Sequence, residues 1–185
     1  HDAALGEHMH VVGDDVVEQP LVMGDDDHRA LGRTQPVDAA CDDAQSIDVE
    51  PDMPLLYALR NDLKLNGPKY GCGMAQCGAC MVLLEGKAVP SCQLPIKGVG
   101  EKAITTLEGL VGKDGELHKV QQAFIDEQAT QCGYCLNGMV IAAVSLLNEN
   151  PEPDDAAIRD GLQINICRCG AHPRVIRAVK RAAAG

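Results

Sequence analysis

Residues 71–92 read GCGMAQCGACMVLLEGKAVPSC and carry four cysteines, Cys72, Cys77, Cys80 and Cys92. Gly71, Gly73 and Gly78 stand among them. A loop that turns its N–H groups toward ligand sulfurs needs backbone angles that a Cβ hinders, and glycine supplies them. After Cys80, Met81 to Leu84 and then Ala88 and Val89 read as two strands joined at Glu85 and Gly86. That hairpin returns the chain and delivers Cys92 to the loop. The stretch predicts a β-rich unit built around four converging thiols.

Upstream, Ile47 and Val49 alternate with Ser46, Asp48 and Glu50, the pattern of a half-buried strand. Asp52 is expected to cap a helix with Pro54 in its first turn. Leu55, Leu56, Leu59 and Leu63 mark that helix's apolar face, and Asn66, Gly67 and Pro68 end it. Downstream, a linker runs through Pro95, Gly98 and Gly100 to Ile104. Thr105 and Glu108 then resemble a capping box. The remaining periodicity is helical. Leu117, Val120 and Phe124 share one face, and Leu136, Met139, Val140, Ala143, Val144 and Leu147 share another. Asp154 or Asp155 is expected to start a short helix, and Pro173 to open a last one that buries Val175, Ile176 and Val179. The chain thus reads as α+β, with residues 44–100 β-rich and residues 101–185 all helical.

The helical half holds a second quartet, Cys132 and Cys135 in QCGYC and Cys167 and Cys169 in CRCG. The first quartet's C-x4-C-x2-C spacing is that of plant-type [2Fe–2S] loops, and four thiolates per site is the ligand count of such a cluster. Eight of the nine cysteines therefore predict two iron–sulfur clusters and an electron-transfer role. Zinc is the competing occupant, since it also accepts four cysteines, although structural zinc sites usually pair two C-x2-C knuckles. Cys41 reads as a small buried or tail residue. His118 reads as an ordinary polar-face residue. His172, just after CRCG, is close enough to influence a cluster.

Composition agrees with a metal-stapled protein. The chain has 185 residues, 2% aromatic content and no Trp, so its core is poor in large side chains. A secreted disulfide scaffold is the alternative for so many cysteines. The first residues show no apolar signal segment, and close cysteine pairs favour metal ligation in a reducing compartment, so a cytoplasmic location is expected. No stretch approaches the length of a membrane span. Of the formal charge of −11, residues 1–43 contribute 11 acids and 2 bases. The remainder, with 16 acids and 14 bases, is nearly balanced and gives no argument for nucleic acid.

Residues 1–43 show neither helical nor strand periodicity and hold His1, His8, His10 and His28. They read as a dispensable acidic tail or a sequence artefact, with a histidine metal arm as the weaker alternative.

KYGCGMAQCGACMVLLEGKAVPSC together with QCGYCLNGMVIAA and NICRCGAHPRV closely resembles the small iron–sulfur subunit of the molybdenum hydroxylases, the xanthine oxidase family. The resemblance runs from about residue 46 to residue 183. It implies a plant-ferredoxin-like β-grasp domain followed by a four-helix domain, each with one [2Fe–2S] cluster. All eight ligand positions match: Cys72, Cys77, Cys80, Cys92, Cys132, Cys135, Cys167 and Cys169. It also implies a large partner subunit carrying molybdenum on a pterin dinucleotide, with Gln131 and Cys169 lying against the pterin. Electrons would pass from the helical-domain cluster to the ferredoxin-like one, then to a flavin or cytochrome c partner. LRNDLKLNGPKYGCG and QQAFIDEQATQCGYC look most like nicotinate dehydrogenase subunits, with isoquinoline oxidoreductases nearby. One departure is that residues 37–43, where the family places its first strand, make a poor strand. A free-standing two-cluster ferredoxin is the rival reading.

Overall fold

The computed structural model describes residues 7–12, 44–112 and 114–185, with the backbone alone for 7–12 and 44–48. Strand β1 (Glu7–Val12) pairs antiparallel with β2 (Ala44–Val49), from Glu7 opposite Val49 to Val12 opposite Ala44. Part of the segment read as lacking any strand pattern is therefore β2's partner, and a deletion of residues 1–43 would remove it. In EHMHVV the apolar residues do not alternate cleanly, which hid the strand from a period-two reading. Residues 37–43, Cys41, His1 and His28 lie outside the described residues.

Helix α1 (Leu55–Tyr57) runs into a wider-wound turn, Ala58–Asp62. Leu55, Leu56, Leu59 and Leu63 are buried, as their spacing predicts. Asp52 does not cap it. Pro54 occupies the cap position without a side-chain bond, and the Asp52 carboxylate instead meets Lys97. The hairpin of β3 (Met81–Leu84) and β4 (Lys87–Pro90) reverses at Glu85 and Gly86, both at positive φ (50° and 79°). A short helix α2 (Ile96–Val99) follows, then β5 (Ile104–Thr105), which adds to β3 in the sheet order β4-β3-β5. Ile104 and Thr105, beyond residue 100, thus belong to this sheet.

Thr105, spent in that strand, does not cap the next turn. Thr106 Oγ1 accepts from Gly109 N at 3.4 Å, while Glu108 reaches back across the chain. Its Oε1 accepts from the backbone N–H of Asn66 (3.0 Å) and of Gly67, tying the linker to the segment just before the cysteine loop. Charge-assisted bonds of this kind contribute about 1.5–3 kcal/mol each. Glu108→Ala is expected to lower the melting temperature by several degrees and to speed loss of metal from the first quartet on dilution, with Glu108→Gln milder. Thermal melts and iron release over time would check it, and unchanged curves would show the strap to be idle.

Four helices complete the chain: α3 (Lys119–Asp126), α4 (Leu136–Glu149), α5 (Asp155–Gly161) and α6 (His172–Ala183). His118 caps α3, its Nδ1 accepting from Val120 N at 3.2 Å and its own N–H donating to Gln121 Oε1 at 2.9 Å. Burial, with Lys119 adjoining, holds its pKa below the ordinary value. Asp154 caps α5 through Ala157 N at 2.8 Å. Pro173 opens α6, where Val175 and Val179 are fully buried.

Two cores meet at one strand. Val82 faces the core formed with Leu55, Leu59, Ile96 and Ile104, whereas Met81 and Leu83 face the helical core with Phe124, Met139, Ala143 and Val179. Side chains of a strand alternate between faces, so β3 forms a wall common to both units. No described helix is long and apolar enough to cross a membrane.

Candidate iron–sulfur sites

Residues 71–80 curl around the first quartet. The N–H groups of Met74 and Gln76 donate to Cys72 Sγ at 3.3 and 3.2 Å, Cys72 N to Cys77 Sγ at 3.3 Å, and Ala75 N to Cys92 Sγ at 3.4 Å. Gly71 is required for this closeness, because a Cβ there would lie 2.6 Å from Cys77 Sγ. The N–H groups of Met74 and then Gln76 hold the Cys72 thiol down at about 7. Burial pushes Cys80 up to about 11, and Cys92 is buried beside it. A loop that stabilises thiolate negative charge by aimed N–H donors suits a bound cation centre.

The second quartet forms where helices begin. Cys135 is the cap residue of α4, with Cys132 three residues earlier and exposed. Ala171 N donates to Cys167 Sγ at 3.4 Å. Burial raises Cys135 to about 12, with the Cys167 and Cys132 thiols adding to the effect. Burial also works to raise Cys167. The N–H of Ala171, the Cys135 thiol and the N–H groups of Cys169 and Gly170 outweigh it, and the thiol sits below its ordinary value. Gln131 Nε2 points to the Cys169 carbonyl at 3.5 Å, so the two residues are neighbours.

The eight cysteines are free thiols. Cys72 N donates to Cys77 Sγ and Cys80 packs against Cys92, so the first quartet approaches in pairs, while Cys132, Cys135 and Cys167 line one cavity. A [2Fe–2S] cluster takes two protein ligands on each iron, and this pairing fits it. Among the described residues, no three His, Cys, Asp or Glu side chains close on the single point that one ion would occupy.

The quartets adjoin. Ile166 N donates to the carbonyl of Cys77 at 3.0 Å, joining a first-quartet cysteine to the residue before Cys167. A cavity of about 290 Å³ between them is lined by Cys72, Cys77, Cys132, Cys135 and Cys167. Tyr134 donates its hydroxyl to the Tyr70 carbonyl, and Tyr70 stacks on Tyr57 with ring centroids 6.4 Å apart. His172 Nε2 lies 2.9 Å from the Asn165 carbonyl, fastening the start of α6 near CRCG. Sequence reading missed Asn137, a fully enclosed polar residue on α4; only its position two residues after Cys135 marked it.

Comparison with known families finds two domain models matching in tandem. Residues 38–103 match the 2Fe-2S iron-sulfur cluster binding domain, and residues 106–180 match the [2Fe-2S] binding domain. Two such domains in tandem define an iron–sulfur electron-transfer protein. The chain is 58% identical over 137 residues to a nicotinate dehydrogenase subunit from Pseudomonas putida, covering 74% of this chain and 87% of that protein. It is 44% identical over 136 residues to the alpha subunit of isoquinoline 1-oxidoreductase from Brevundimonas diminuta, covering 74% and 88% respectively. Its fold matches the crystal structure of quinoline 2-oxidoreductase from Pseudomonas putida with a TM-score of 0.71 at 35% identity, over 76% of this chain and 88% of that one. The chain belongs to the small [2Fe–2S] subunits of the molybdenum hydroxylase family. It is an oxidoreductase subunit with two [2Fe–2S]-binding domains, and its work is electron transfer.

Proposed function

We propose that this chain relays electrons within a complex that hydroxylates an N-heteroaromatic acid such as nicotinate, with the substrate site on a large molybdopterin-bearing partner. The adjoining of the two quartets through Ile166 N–H and the Cys77 carbonyl is the observation that carries the reading. Cys72, Cys77, Cys80 and Cys92 hold one cluster, and Cys132, Cys135, Cys167 and Cys169 the other. Bound clusters supply one-electron redox chemistry. The chain's own residues gather the thiols, aim N–H groups at the sulfurs and keep Cys80 and Cys92 from water. Each of these adjusts potential. On this reading the β-rich unit extends to residue 105, and a flavin- or cytochrome-bearing partner takes the electrons.

The test is purification of the chain with its co-expressed neighbours. Four irons and four acid-labile sulfides per chain are expected, following two thiolates per iron, together with bleaching of the visible spectrum by nicotinate. Stoichiometric zinc without sulfide would refute the cluster assignment, and a two-cluster protein that no heteroaromatic acid reduces would refute the substrate class.

Gln131 is assigned to the pterin side together with Cys169, whose carbonyl its carboxamide faces. Gln131→Ala keeps every thiolate and removes donors and an acceptor suited to a pterin edge. Substrate-driven reduction in the complex is expected to slow, while dithionite-reduced spectra stay normal. Unchanged stopped-flow kinetics would make Gln131 an ordinary surface residue.

A further inference from the structure

Asn137 lies in the first turn of α4, two residues after Cys135, and is only 2% exposed. Its Nδ2 donates to the carbonyls of Ala79 (3.2 Å) and Met81 (2.9 Å), the residues on either side of Cys80. Those two acceptors fix the carboxamide's orientation, since turning it over would set Oδ1 against two carbonyl oxygens. Oδ1 is buried and has no partner among the described residues. A buried acceptor left without a donor costs on the order of 1–3 kcal/mol. Leucine, of similar size, would avoid that cost but would take the Nδ2 donor away from the Ala79 and Met81 carbonyls. Packing alone therefore does not account for an asparagine here. The next residue adds to the fit, because Gly138 presses so closely on Gly78 that a Cβ would lie 2.0 Å from its carbonyl oxygen.

We infer that Asn137 is a positioning residue for electron transfer between the two quartets, locking the helix that starts at Cys135 to the segment that carries Cys80. The inference rests on the reading of both quartets as cluster ligands. Of the contacts that join the ligand segments, those of Ile166 and Gly138 are made by backbone atoms and that of Tyr134 reaches Tyr70, ahead of the cysteine loop. Asn137 is the side chain whose bonds bracket a ligand, Cys80. The step it serves is the passage of a single electron from the helical unit's cluster to the β-rich unit's, one oxidised as the other is reduced, with no bond made or broken. What Asn137 controls is the separation and relative orientation of Cys135 and Cys80 and their neighbours.

The experiment uses the full chain with both clusters assembled, comparing wild type with Asn137→Leu and Asn137→Ser. Serine is measured in parallel because it is small and polar but too short to span both carbonyls. Iron, sulfide and the separate EPR signals of the two reduced clusters are read first. If wild-type protein lacks two clusters, the underlying assignment has failed, whatever Asn137 does. With both clusters present, the mutual spin coupling of the doubly reduced protein is expected to be lost or sharply reduced in the variants. Equilibration of one photo-injected electron between the clusters should slow in parallel, and Asn137→Gln, which keeps the amide donor, should recover part of both. Either variant showing wild-type coupling and equilibration, with only a lower melting temperature, would overturn the inference and leave Asn137 a structural clamp.

Discussion

Cys77→Ser is expected to remove half of the bound iron and acid-labile sulfide, and with them one of two EPR signals, while the other signal keeps its shape. Cys77 Sγ accepts the N–H of Cys72, and the cysteine sits in the loop's tightest part, where Gly71 is packed against it. A serine hydroxyl is a harder, far less acidic ligand than a thiol and cannot replace it on a soft iron–sulfur site. Binding free energy at such a site adds to folding free energy, so the β-rich unit should also lose several kcal/mol of stability. The helical core draws on the β-rich unit through Met81 and Leu83 of β3 but is built mainly on helical residues such as Phe124, Met139, Ala143 and Val179, and should survive. Metal analysis and low-temperature EPR decide the matter. Retention of all iron, or loss of both signals from folded protein, would contradict the assignment.

Gly138→Ala is expected to be the most damaging single-methyl change in the helical unit. The added Cβ would meet Gly78 O at 2.0 Å and Gly78 C at 2.8 Å, both backbone atoms that cannot swing aside. Overpacking of this kind costs typically about 1–3 kcal/mol, and a contact with rigid backbone sits at the upper end. Relief requires α4 to move off the loop, which breaks the Asn137 bonds to Ala79 and Met81. Gly161→Ala is the control. Its nearest neighbour is the flexible tip of Leu146 at 3.1 Å, and stability should stay within about 1 kcal/mol of wild type. Calorimetry of the two variants measures the contrast, and equal melting temperatures would show the α4–loop contact to be soft.

Local signals in the sequence were legible where one residue's chemistry decides the outcome. The cysteine spacing, the Glu85 and Gly86 reversal, the Asp154 cap and the apolar face of α4 are of this kind, because each depends on a few neighbouring residues. Long-range contacts were not. Asp52 and Glu108 both look like helix-cap partners by spacing, yet tertiary structure takes them to Lys97 and to the N–H groups of Asn66 and Gly67. β5 is two residues long, too short for alternation to register, so nothing local shows that Ile104 and Thr105 join the sheet. β1 pairs across more than thirty intervening residues, a separation at which no local pattern announces a partner. Asn137 looked like one polar interruption of an amphipathic helix. Its meaning depends on the carbonyls of a distant loop.

The three tyrosines give the molecule an optical property of its own. The chain has no tryptophan, so its ultraviolet emission comes from Tyr57, Tyr70 and Tyr134. All three meet at Tyr70, whose hydroxyl also lies against Gly73 in the cysteine loop. The fluorophores are thus gathered at the rim of one redox centre, within easy range of an absorbing chromophore. Their intensity is a built-in gauge of whether that centre is filled, readable in dilute samples without any added dye.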